Sequence, residues 1–233
     1  MDFEKSLRDN TAPVAIDFSE DRNVLLIAFG GLALKLGIPM FEFEKVTNGL
    51  KNINKIYLRD HKRLWFHRGL QNIGNSVESI LNYLQDYTSH KSTHKVVVIG
   101  NSGGGYAALL FGHLLSADEV HAFSPKTSIH PLTRLIQKDL PKIWMIQLLP
   151  SLILNGQKKY FDLHKVLKSF KNCSTHYHIY FSLDHRSDYF HATRIRDVFN
   201  VHLHPYRFGH HGLVKSLRNN GELREIIDQA ISL

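Results

Sequence analysis

Lys95-Val96-Val97-Val98-Ile99-Gly100-Asn101-Ser102-Gly103-Gly104-Gly105-Tyr106-Ala107-Ala108-Leu109-Leu110-Phe111 is the stretch that decides the fold. Its first five residues are a continuous apolar run behind a single lysine. Such a run reads as a strand buried on both faces of a sheet. Gly100 ends it, and the Ala/Leu-rich run from Tyr106 predicts a helix. Strand, glycine turn and helix follow one another with no spare residues.

The same rhythm extends outward in both directions. Val24 to Phe29 is a second doubly buried strand, stopped by Gly30-Gly31. Lys55 to Arg59, Val120 to Ser124, His178 to Phe181 and Val201 to Tyr206 read as further strands. Val77 to Tyr87 places Val77, Ile80, Leu81 and Leu84 at helical spacing, a helix is expected around His191 to Phe199, and the tail from Gly221 to Leu233 is amphipathic. Strands alternating with helices predict an α/β fold with a mostly parallel central sheet flanked by helices. Val14 to Phe18 is expected to add an antiparallel edge strand. Residues 125–172 break the rhythm with several prolines and helical pieces, and read as a small helical lid or insertion in a single domain spanning 1–233. Ligands of such sheets collect at the carboxyl ends of the strands. The site is therefore expected just after Phe29, Ile99, Phe181 and Tyr206.

Gly100-Asn101-Ser102-Gly103-Gly104 has the form G-x-S-x-G. A serine presented as a nucleophile must sit on a very sharp turn between strand and helix, and side chains two residues to either side would collide there. Gly100 and Gly104 remove them. The pentapeptide alone is a weak signal. Its position directly after a buried strand and before a helix makes it a strong one. A phosphate-binding turn is the competing reading, but no Gly-Lys-Ser/Thr closes a P-loop and no G-x-G-x-x-G follows a strand.

A serine hydroxyl needs a base, and the base an orienting acid. With this elbow the chain order is serine, then carboxylate, then histidine. The last strand runs into Gly209-His210-His211-Gly212, where the base belongs. His211 is preferred because a helix begins directly after it; His210 is the alternative. Asp184 and Asp188 both follow the strand at His178 to Phe181, and each also reads as a turn former or helix cap. Two backbone N–H groups must face the developing oxyanion. One is expected from Gly103, the other from Gly31, with Leu32 its close neighbour.

Together these residues resemble the α/β-hydrolase superfamily. Gly100 to Ala108, Ala122-Phe123-Ser124-Pro125 and Asp188-Tyr189-Phe190-His191-Ala192 are similar, more narrowly, to a group of little-characterised bacterial hydrolases. In that group the aspartate ahead of the His-Ala pair is the acid, which favours Asp188. A departure is His210, where related loops often carry a small or acidic residue.

Composition narrows the remaining classes. Of 233 residues, 43% are hydrophobic, enough for a sizeable core. The net charge is +8, but lysine and arginine are spread along the chain without a basic run, so no nucleic acid is expected as a partner. The N-terminus lacks a signal-peptide pattern. No apolar run reaches the roughly 18 residues of a membrane span. The nearest, Ile143 to Leu154, reads as a buried or lid helix and leaves lipid-surface contact open. One cysteine, Cys173, excludes an internal disulfide and suits a cytoplasmic location. His176/His178 and His202/His204 each share a strand face, but a metal needs three or more converging ligands, so no metal and no cofactor are expected. Arg59-Asp60 reads as a structural ion pair. Trp65, Phe66 and Trp144 read as packing residues that could also wall a pocket. The function expected is a serine hydrolase cleaving a small-molecule carboxylic ester through an acyl-enzyme, with Ser102, His211 and Asp188 as triad. A thioesterase or acyltransferase with the same triad, or a non-catalytic ligand-binding protein on the same scaffold, are the alternatives. Oligomeric state is not set by any of these features.

Overall fold

The computed structural model describes residues 2–32, 41–136, 157–169 and 174–232. Seven strands form one sheet: β1 (Val14–Asp17), β2 (Val24–Phe29), β3 (Asn54–Leu58), β4 (Lys95–Asn101), β5 (Glu119–Phe123), β6 (His176–Ser182) and β7 (Val201–Tyr206). Their spatial order is β1-β3-β2-β4-β5-β6-β7. β1 is antiparallel to β3, and every other pairing is parallel. The sheet is thus the mostly parallel one read from the sequence, with its antiparallel strand at one edge.

The continuous apolar runs have a simple cause. Leu25, Ile27, Phe29, Val96 and Val98 point into one core layer, and Val24, Leu26, Ala28, Val97 and Ile99 into the other. On the first face lie the helices Val77–Thr88 and Gly103–Leu114. Leu213–Asn219 and Glu222–Ile231 cover the second through Leu213, Leu217, Leu223 and Ile227. Each fully buried Leu, Ile or Phe contributes about 1.5–3 kcal/mol relative to exposure. β7 is an edge and is only half covered, which is where Pro205 is tolerated.

Three local expectations change. The helix expected at His191 to Phe199 spans Arg186–Thr193, because His185 caps it by accepting the Asp188 N–H at 3.3 Å. Asp188 therefore sits in its first turn. Asp60 does not pair with Arg59. Its buried carboxylate accepts the N–H groups of Lys62, Leu64 and Phe66 at 3.0, 2.6 and 2.9 Å, while Arg59 donates to the Asn10 carbonyl. Those bonds hold Trp65 and Phe66 in left-handed backbone, φ 52° and 65°. Phe66 then packs edge-on against Phe29 in the core, not at a pocket wall.

Within the region read as an insertion, the helix Leu163–Ser169 buries Leu163, Val166 and Leu167 in the same core layer as Gly103–Leu114. Gln157–Tyr160 is tied down through Glu78, which accepts from Gln157 Nε2 at 3.1 Å and Tyr160 Oη at 3.0 Å and pairs with Lys159 at 3.0 Å. These segments belong to the packed layers of the domain. The stretch Ile143 to Leu154, with Trp144, and Cys173 lie outside the described residues. Tyr106 Oη donates to the Tyr160 carbonyl, so His67 Nε2, 2.9 Å away, must donate to Tyr106. Buried His67 is thereby a neutral Nε2–H tautomer, and burial pulls its pKa down to about 3.

Candidate active site

β4 delivers Ser102 at the carboxyl edge of the sheet. Its backbone is strained, at φ 54° and ψ −111°. Ser102 N–H donates to the Phe123 carbonyl at 2.8 Å, which locks the turn to β5. The glycines are required by space. A Cβ on Gly100 would lie 2.1 Å from the Gly104 carbonyl oxygen, and one on Gly104 2.2 Å from that of Phe29. Ser102 also heads a 12-residue helix, whose first N–H groups, including that of Gly103, have no intrahelical acceptor and carry partial positive charge.

The serine, a histidine and an aspartate from three separate strand ends form one hydrogen-bonded chain. Ser102 Oγ lies 2.9 Å from His211 Nε2. His211 Nδ1 lies 2.9 and 3.1 Å from the two oxygens of Asp188. His211 stands in a short 3-10 turn, His210–Gly212, entered through left-handed Gly209 at φ 84°. Its neighbour His210 is exposed. Asp188 is fully buried, whereas Asp184 is exposed and its backbone N–H donates to Ser182 Oγ at 3.2 Å. Burial alone would raise the Asp188 carboxyl. The hydrogen bond and charge of His211, with the charge of His185, outweigh it and hold the carboxyl below its ordinary value.

Two residues of this site escaped sequence reading. His185 Nδ1 lies 2.9 Å from Asp188 Oδ1, and its ring sits 5.2 Å from that of His211. Glu42 lies beneath the glycine turn. Its carboxylate accepts the Gly31 N–H at 2.7 Å and Asn101 Nδ2 at 2.6 Å, tying the loop after β2 to the residue before Ser102. Burial pushes the Glu42 carboxyl above its ordinary value. Gly31 was expected to offer its N–H to an oxyanion, but that N–H is engaged by Glu42. Leu32, whose side chain lies against Gly103, supplies the next N–H of the same turn. No local pattern marks a glutamate 11 residues beyond Gly31 as its partner. A cleft of about 430 Å³ lined by Val24, Leu50, Ile53 and Ile231 opens at the opposite end of β2 and holds none of these groups.

No family model and no curated protein sequence matches this chain. Solved structures do. The capsule O-acetyltransferase of Neisseria meningitidis serogroup A is similar with a TM-score of 0.65 at 16% identity, covering 94% of this chain and 90% of that one. A lipase-esterase related protein from Clostridium acetobutylicum is similar at 0.55 and 16%, covering 94% and 98%. Acetyl xylan esterase 1 from Thermoanaerobacterium is similar at 0.55 and 15%, covering 89% and 76%. The fold is the α/β-hydrolase fold, with the serine, histidine and aspartate at the ends of its strands.

Proposed function

We propose that this α/β-hydrolase-fold protein is a serine enzyme that removes an acyl group from a small carboxylic ester. The observation that carries the reading is the unbroken chain Ser102 Oγ, His211 Nε2, His211 Nδ1, Asp188, at 2.9 Å for each link. In that chain Ser102 attacks the acyl carbonyl while its proton passes to His211 Nε2. Asp188 keeps the other imidazole proton on Nδ1 and stabilises the imidazolium that forms. The N–H groups of Gly103 and of the Gly31–Leu32 turn, with Leu32 favoured because Gly31 is tied to Glu42, face the oxyanion. His211 then returns the proton to the leaving alcohol, leaving the acyl group as an ester on Ser102. Water, activated by the same imidazole, releases the acid and restores the serine.

A second reading shares every step up to the acyl-enzyme and replaces water by a hydroxyl of another molecule. The similarity to the capsule O-acetyltransferase, which has a higher TM-score than the esterases, supports it. A non-catalytic ligand-binding role would leave the strain at Ser102 and the aligned proton path without use.

The test is a pre-steady-state assay with p-nitrophenyl acetate. A burst of p-nitrophenol equal to one per folded chain, absent in Ser102→Ala, is the expected result. Adding simple polyols then separates the two readings: unchanged acetate release means hydrolysis, and acetylated polyol at the expense of acetate means transfer. Equal turnover by wild type and Ser102→Ala would refute both.

A further inference from the structure

The face of the sheet that carries β5, β6 and β7 holds a second group of convergent side chains, separate from the triad. Register places Glu119 and His121 of β5 beside His176 and His178 of β6, and His178 beside His202 of β7. His176 Nδ1 lies 3.3 Å from His202 Nε2, and His178 Nδ1 3.1 Å from His204 Nε2. Of these side chains His121 is buried, and a buried imidazole is costly unless it has a partner or a ligand. His121 Nε2 lies 3.0 Å from Glu119 Oε2, and His178 Nε2 lies 3.9 Å from the same oxygen. The three ligand atoms lie within 4.8 Å of one another.

We propose that Glu119, His121 and His178 form a binding site for a divalent transition-metal ion of the zinc class. An ion about 2.0–2.1 Å from nitrogen and oxygen ligands sets tetrahedral neighbours roughly 3.3 Å apart. The distances of 3.0 and 3.9 Å from the two imidazole nitrogens to Glu119 Oε2 bracket that spacing.

The surroundings are those of a ligand set. A metal-bound imidazole is usually oriented by a hydrogen bond at its other nitrogen. His121 Nδ1 lies 3.0 Å from Tyr180 Oη, and His178 Nδ1 lies 3.1 Å from His204 Nε2. Both rings therefore turn Nε2 toward Glu119. The second carboxylate oxygen, Oε1, is held by Lys95 at 3.0 Å, leaving Oε2 to the centre. The His121 and His178 rings are stacked 4.7 Å apart, and binding requires one of them to tilt out of the stack so that both ring planes contain the ion. Burial and the neighbouring imidazoles lower the His178 pKa to about 4, so it is neutral and ligand-competent at neutral pH. His178 and Glu119 are each about one-quarter exposed, which gives an ion and its fourth ligand, water, a way in.

The proton balance is simple. Without metal, His121 Nε2 and Glu119 Oε2 share a proton across 3.0 Å. The ion takes that proton's place. His121 then carries its proton on Nδ1, where Tyr180 Oη turns to accept it. Binding bridges β5 to β6 four residues before Ser182, roughly 13 Å along the strand from its catalytic end. The inference does not depend on Ser102 chemistry.

The experiment uses untagged, chelator-treated full chain titrated with Zn²⁺ by calorimetry, and with Co²⁺ for its visible absorption. One equivalent of each is expected to bind and to raise Tm. Glu119→Gln and His178→Ala should each weaken binding at least about 100-fold, while Ser102→Ala leaves it unchanged. If a variant fails to fold, imidazole ¹H–¹⁵N spectra of the wild type decide: Zn²⁺ should perturb His121 and His178 and spare His211. No stoichiometric binding, unaltered binding in both folded variants, or perturbation of His185 and His211 in place of His121 and His178 would overturn the proposal. The last result would put the ion on the other convergent group, His185, Asp188 and His211.

Discussion

Asp188→Asn removes one charge and keeps the shape of the side chain. In the native site, the His211 Nδ1–H donates to a carboxylate oxygen at 2.9 Å, which leaves Nε2 bare toward Ser102 Oγ. An asparagine that turns its amide N–H toward His211 makes Nδ1 the acceptor. The imidazole proton then moves to Nε2, the atom that must receive the serine proton. A tautomer error of this kind costs on the order of 10³–10⁴ in kcat, or about 4–5.5 kcal/mol at roughly 1.36 kcal/mol per decade. Asp188 is fully buried, so no water competes to rescue the arrangement. The assay is kcat and kcat/KM on p-nitrophenyl acetate, with Tm measured to show that the variant folds. Asp184→Asn is the internal contrast: it is exposed and should stay within about twofold of wild type, as an exposed change away from the site. A folded Asp188→Asn enzyme within tenfold of wild type would refute the reasoning. So would an equal loss in Asp184→Asn.

Gly104→Ala should collapse the elbow, because its Cβ meets backbone at 2.2 Å and cannot rotate away; overpacking costs typically about 1–3 kcal/mol and more against backbone, so a lower Tm and loss of burst are expected, whereas Gly212→Ala, with open space around it, should be silent in both measurements. Glu42→Ala should lower kcat about 10–100-fold with a smaller change in KM, by releasing the turn that positions an oxyanion donor; wild-type kcat in a folded variant would contradict that role. His67 is neutral in the fold with a pKa of about 3, so the unfolded chain binds the extra proton between about pH 6.5 and 3, and stability falls as pH drops through that window. Urea midpoints should show a loss of roughly 2–3 kcal/mol between pH 7 and about pH 4.5 that His67→Phe lacks, and parallel pH slopes for the two proteins would count against it.

Sheet and elbow were legible because their signals are local. Val24 to Phe29 and Lys95 to Ile99 are apolar on both faces and bounded by glycine, and only a doubly covered strand explains them. Ser102 could be read because the glycines around it stand at fixed spacing between a strand and a helix; the Gly100 clash with Gly104 is local, whereas Gly104 answers to the Phe29 and Gly30 carbonyls of the neighbouring strand end. The order acid then histidine followed from chain topology, but the choice between neighbours needed burial. Asp188 and Asp184 lie four residues apart, and only the early helix start at Arg186 turns Asp188 inward. Long-range polar contacts outside the triad were not legible. Glu42 reaches Asn101 across 59 residues, and Glu119 stands beside His178 only because β5 pairs with β6. His178 could not be joined to the other two members of the proposed metal set for the same reason: Glu119 and His121 come from a strand far away in sequence. Asp60 was misjudged because a carboxylate beside an arginine suggests an ion pair, while the left-handed turn that follows offers it backbone N–H groups instead.

The central claim is that Ser102 is an activated nucleophile. Treating the folded chain with a fluorophosphonate probe and locating the adduct by peptide mass spectrometry tests it most directly. The account predicts one adduct per chain, on Ser102, abolished in Ser102→Ala and strongly slowed in His211→Ala but not in His210→Ala. An unlabelled folded protein, or an adduct on another residue that survives Ser102→Ala, would contradict it.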